Sequence, residues 1–113
     1  MVVAPSPEEE DQRRLSRERG VLIKERIVHT NRITGLLAAQ GIHGYQPLRR
    51  DQRERLEELT TGDGRPLPKM LKVEIGRVLD RLALLMRQIA DVEAARDALV
   101  LAAGETARRR PGC

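Results

Sequence analysis

LKVEIGRVLDRLALLMRQIADVEAARDALVLAA, residues 71–103, is the stretch that decides the fold. Steps of four and three through it meet Leu71, Ile75, Val78, Leu82, Leu85, Ile89, Val92, Arg96, Leu99 and Ala103, so every seam position except Arg96 is apolar. That repeat is the pattern of a coiled coil. Between the seam positions lie Lys72, Glu74, Arg77, Asp80, Arg81, Arg87, Gln88, Asp91, Glu93 and Asp97, so the opposite face carries both signs of charge and suits water. The helix is therefore amphipathic and does not cross a membrane. A helix over 69–103 makes a rod of roughly 50 Å, against an average globular helix of about 11 residues. Each large seam side chain left in water forgoes on the order of 1.5–3 kcal/mol, so the seam demands a covering surface.

Working outward, the chain of 113 residues has no Phe, no Trp and one Tyr, which disfavours a compact globular core but suits leucine-rich helix pairing. Charged residues make up 34% and apolar residues 40%, placing the chain with long-helix proteins and away from disordered ones. Ser6-Pro7-Glu8-Glu9 reads as a helix start, with Ser6 as N-cap, Pro7 at the first helical position and Glu9 closing a capping box. From there a helix is expected over 7–40, with Leu15, Leu22, Ile23, Ile27, Ile33, Leu36 and Leu37 on one side. Gly41 suits the left-handed residue that ends it, and Ile42 is placed to touch Leu37 in a Schellman motif.

After the connector 43–47, Asp51 and Glu54 read as a second capping box opening a short helix over 51–59, anchored by Leu48, Leu56 and Leu59. Residues 60–68 are turn formers, and the third helix follows over 69–103. The two long helices are nearly equal in length, so the expected fold is all-α: a long antiparallel hairpin of residues 7–103 with a short helix and loop at its tip. Residues 1–6 are an N-terminal tail, and residues 104–113 are expected to be a basic disordered tail. The first helix has fewer large apolar residues than the third. Self-association into a homo-oligomer through the seam is therefore expected, or docking on a larger body.

Charge is unevenly spread. Residues 1–12 have net charge −4, residues 13–55 +7, residues 56–107 −2, and the last six residues add three bases. Eighteen of the 21 basic residues are arginine, a side chain suited to phosphate. Two clusters are candidates for nucleic-acid contact: Arg13, Arg14, Arg17 and Arg19 on the first helix, and Arg49, Arg50, Arg53 and Arg55 around the second, with Tyr45 nearby as a stacking platform. The plain alternative is a solvated face in which Glu18, Glu25, Asp51 and Glu54 take up these arginines in ion pairs.

Other chemistry is poorly supported. Gly62-Asp63-Gly64 lacks the Gly-Lys-Ser/Thr continuation of a phosphate loop and reads as a turn. His29 and His43 have no further ligand at metal spacing, so no metal site and no cofactor is expected in this chain. Ser6 and Ser16 are explained as cap and surface residues, which leaves no nucleophile, no small-molecule substrate and no catalytic residue. No apolar run follows a basic start, so a cytoplasmic location is expected. Cys113, the single cysteine, has no partner within the chain and is available only for a crosslink between two chains.

An ordered series of segments resembles the middle of insertion-sequence-110 family transposases. It comprises Arg19-Gly20, Lys24-Glu25-Arg26, Asn31-Arg32-Ile33-Thr34-Gly35-Leu36-Leu37, Gln40-Gly41-Ile42, Pro47-Leu48-Arg49-Arg50-Asp51, Arg53-Glu54-Arg55-Leu56-Glu57, Thr61-Gly62-Asp63-Gly64-Arg65-Pro66-Leu67-Pro68, Glu74-Ile75-Gly76 and Leu79-Asp80-Arg81-Leu82. The resemblance covers about residues 8–100 and is most specific over 61–68. It implies a coiled-coil linker between two parts of an RNA-guided recombinase: an acidic RNase-H-like domain that uses divalent metal, and a domain with a catalytic serine. It implies oligomers that work on DNA with a guide RNA as partner. No residue here matches the family's metal-binding acids or its nucleophile. Gly104 to Cys113 departs from the family pattern, as a truncated or frameshifted reading frame would. The resemblance thus points to a transposase remnant of an insertion sequence that is not itself an enzyme. Two other functions stay open: a free-standing basic helical module that binds nucleic acid, and a dominant-negative partner of an intact transposase.

Overall fold

The computed structural model describes residues 6–109. Three helices form, α1 over Pro7–Ala38, α2 over Gln52–Glu58 and α3 over Lys69–Arg109. Among the described residues the only β-pairing is an isolated bridge between Thr60 and Pro66. The fold is all-α, as expected. Arg19 pairs with Glu93 and Arg32 with Glu74, so α1 and α3 run antiparallel, side by side along a body of 74 × 29 × 19 Å.

The start of α1 follows from its sequence. Ser6 is extended (φ −66°, ψ 158°), and its Oγ accepts a hydrogen bond from the Glu9 amide at 3.2 Å. Glu8, Glu9 and Glu10 fill the first turn, where the helix dipole favours negative charge. At the other end the Ile42 amide donates to the Leu37 carbonyl and the Gly41 amide to the Ala38 carbonyl, each at 3.0 Å. With Gly41 at φ 78° this is the expected Schellman motif, and Leu37 and Ile42 are both buried in the shared core.

The core settles what covers the seam. Ile75, Val78, Leu82, Leu85, Ile89 and Val92 are buried together with Leu22, Ile33 and Leu37 of α1, while Leu71 and Leu99 are only partly covered. So α1 shields the seam along most of its length. Leu79, which the seam reading leaves out, is fully buried as well. The reason is that α2 also packs on α3 near this level, tied by Lys72 to Glu57 at 3.2 Å and by Arg53 to Asp80. A helix covered from two directions needs a wider apolar stripe than one row of seam positions.

Several local expectations are corrected. Ile27 lies outside the core and is half exposed, because it falls around the helix from the face on which Leu22, Ile33 and Leu37 align. Leu48 is exposed too, and Pro47, Ile42 and Leu67 pack beneath the tip with Leu56 instead. The second capping box does not form. Asp51 makes no side-chain cap hydrogen bond, since its carboxylate is held by Arg49 and Arg55. Finally, α3 does not end at residue 103 but continues through Arg109, so residues 104–109 are helical and not a disordered tail. Residues 1–5 of the N-terminal tail, residues 110–113 and with them Cys113 lie outside the described residues.

The tip is a folded cap. The Gly62 amide donates to the Gln40 carbonyl at 2.9 Å, bringing the loop 60–66 against the end of α1, and the Thr61 amide donates to the Arg65 carbonyl at 2.6 Å. A Cβ on Gly41 would sit 3.2 Å from the Gly62 Cα, so two glycines allow the two backbones to approach.

Candidate nucleic-acid interface

The two arginine clusters named from sequence differ once their partners are seen. At the tip, Asp51 sits between Arg49 at 3.2 Å and Arg55 at 2.8 Å. The hydrogen bond from Arg55, helped by the charges of Arg49 and Arg55, holds the Asp51 carboxyl below the usual carboxylate range. Arg53 reaches across to Asp80 of α3. Of this cluster only Arg50 has no acidic partner among the described residues. Residues 39–68 carry five arginines and five acids, so the cap as a whole is neutral, and Arg49, Arg55 and Arg65 are paired within it.

Tyr45 is held in place as well. Its hydroxyl donates to the Gln52 carbonyl at 2.7 Å, and the ring is packed partly against the core. It lines a concavity of about 310 Å³ together with His43, Arg49, Arg55, Glu58 and Leu59. Burial pushes the Tyr45 phenol up to about 12, with the Arg53 charge opposing and the Asp51 charge assisting. The folded state therefore favours the neutral phenol. Its contribution to stability is complete below the ordinary tyrosine value near 10 and is lost as pH rises from about 10 to about 12. Because Tyr45 is the single tyrosine, ultraviolet titration of the folded chain should give one transition with its midpoint well above 10, moving toward 10 in urea. A midpoint near 10 in the folded chain would show the hydroxyl to be solvated.

On α1 the balance is different. Arg14 pairs with Asp11 at 3.6 Å, both exposed, and Arg19 Nε donates to Glu93 at 3.2 Å across the hairpin. Arg13 and Arg17 have no acidic partner among the described residues. Lys24, which the sequence reading passed over, is exposed and equally unpaired. Its separations of seven from Arg17 and eleven from Arg13 put it on their face of the helix, and that spacing was the signal available in the sequence.

Nothing in the described residues builds another kind of centre. No group of three or more His, Cys, Asp or Glu among them is placed to hold a metal ion. No helix among them is long and apolar enough to cross a membrane.

Comparison with known proteins adds one relationship. No family model matches the chain, and no solved structure matches it. Over 103 residues, 91% of its length, the chain is 64% identical to a protein of Sinorhizobium fredii (strain NBRC 101917 / NGR234) described as "Putative transposase y4rJ". The matched stretch is 26% of that protein. The chain is thus similar, over nearly all of its own length, to about a quarter of the relative it matches.

Proposed function

We propose that this chain is the helical-hairpin segment of a transposase of the insertion-sequence-110 type. In this reading it joins the catalytic domains of a DNA-transposition enzyme and pairs copies of the protein, and it carries no catalytic residue of its own. The observation that carries the reading is the 64% identity to a quarter of a transposase. The hairpin supports it, because α1 and α3 form a self-sufficient arm whose core needs no further domain between Ile75 and Val92.

Pairing of copies falls, in this reading, at the base of the hairpin and not along the seam. Residues 98–103 read Ala-Leu-Val-Leu-Ala-Ala, apolar all round the helix, whereas α1 can cover one side only. Val100 and Leu101 are exposed, 57% and 68%, and are turned about 100° or more around α3 from the notch in which Leu15 meets Ala95, Ala98 and Leu99. A second copy brings the same residues to the same place, as a two-fold contact requires. Light scattering on the eluting full chain at micromolar concentration should give the mass of a dimer or larger. Substituting Val100→Ser together with Leu101→Ser should reduce it to one chain with helix content unchanged. A wild-type monomer, or a dimer indifferent to both serines, would overturn the pairing.

A further inference from the structure

We propose that the outer face of α1, through Arg13, Arg17 and Lys24, binds the phosphates of duplex DNA, and that the tip cluster does not. This goes beyond the role of structural arm and does not depend on it. The three cations stand on the side of α1 opposite the buried Leu22, Ile33 and Leu37, and all are exposed. From Arg13 to Lys24 is eleven steps of helix, about 16 Å of a rigid rod. None has an acidic partner among the described residues. Glu9 and Glu10 lie at one end of this face, Glu9 lining one concavity with Arg13 and Arg17, and Glu18 and Glu25 are rotated about 100° away from Arg17 and Lys24. Gly20 stands between Arg17 and Lys24 with nothing within 4 Å of where its Cβ would be, and Val21, exposed between the same two cations, brings no charge to the row.

Three arguments select the duplex. A helix about 10–12 Å across fits the major groove of B-form DNA, about 12 Å wide. Duplex RNA offers a deep, narrow major groove that excludes a helix. Single strands are held by stacking on aromatic side chains, and α1 has none, while the one tyrosine is tied down at the far tip. A second copy seated on this face would bring its own Arg13, Arg17 and Lys24 against these, with acids only at the Glu9 and Glu10 end to offset them.

The salt-dependent part of the contact is sequence-independent, because it comes from cations set against phosphates. Fluorescence anisotropy of the full chain with a labelled duplex, repeated as salt is raised, tests it. Three phosphate contacts give a log–log salt slope of about −2.7, so a fourfold rise in salt weakens wild-type binding about 40-fold. The triple variant R13Q/R17Q/K24Q should lose most of that slope and bind at least about tenfold more weakly at low salt, with its helical circular dichroism intact. Arg50→Gln at the tip should leave both unchanged. The proposal is overturned if wild type fails to bind at low salt, or if the triple variant keeps the parental slope. It is equally overturned if Arg50→Gln matches the triple variant in effect, or if single strands or duplex RNA bind as tightly as duplex DNA. The wild-type slope is read without any variant, so a variant that misfolds does not remove the test.

Discussion

Leu79→Ala is expected to cost about 2–5 kcal/mol, a large share of the roughly 5–15 kcal/mol that holds a domain of this size folded. The side chain is fully buried where α3 is covered by both α1 and α2, so truncation leaves a cavity bounded by Ile75, Val78 and Leu82 with little freedom to collapse. Leu84→Ala, five residues further on but 43% exposed, should change stability by no more than about 0.5 kcal/mol. Urea unfolding followed by circular dichroism separates the two: the midpoint should fall sharply for the first and hardly move for the second, with the slope unchanged in both. Equal effects would show that α3 is not clamped from two sides at this level.

The second large effect is expected at Gly41, where alanine meets two penalties together. The backbone is left-handed (φ 78°), which costs a residue with a Cβ about 1–3 kcal/mol. The new Cβ would also press on the Gly62 backbone, 3.2 Å from its Cα and 3.3 Å from its nitrogen, and neither atom is the free end of a side chain. Gly41→Ala should therefore destabilise toward the upper part of that range and loosen the hydrogen bond from Gly62 to Gln40. Gly20→Ala offers the opposite sign. It lies in the exposed middle of α1 with open space around it, and alanine there should add about 1 kcal/mol. Thermal melts of the two variants should bracket the wild type, and amide exchange at Gly62 should quicken only in the first.

The contrast between these sites shows what a linear reading reaches. The α3 seam was legible because a repeat over many turns leaves few alternatives, and Gly41 with Ile42 gave away the end of α1 through one residue that tolerates a left-handed backbone. Leu79 was not legible, because its burial comes from α2, a helix distant in sequence that approaches from the side. Asp51 misled for a related reason: the spacing to Glu54 marks a cap, but the charge-assisted hydrogen bond from Arg55, with the Arg49 charge beside it, takes the carboxylate instead. The arginine clusters looked equivalent as composition. Only the fold reveals that Asp80, twenty-seven residues away, neutralises Arg53, whereas Arg13 and Arg17 meet no such counterpart. The end of α3 was not legible either, because Gly104 is a weak helix former and the backbone nevertheless stays helical through Arg109.

The antiparallel course of α1 and α3 has a mechanical consequence. Since Leu15 lies level with Leu99 while the turn-back is at residues 39–68, the beginning of α1 and the end of α3 lie at one pole of the rod. Tension applied there loads the rungs one after another, from Leu15 toward Leu37, as in opening a zip. Traction between that pole and the cap would instead load every rung at once in shear. The same core is thus weak to being peeled from its base and stiff to being stretched along its axis.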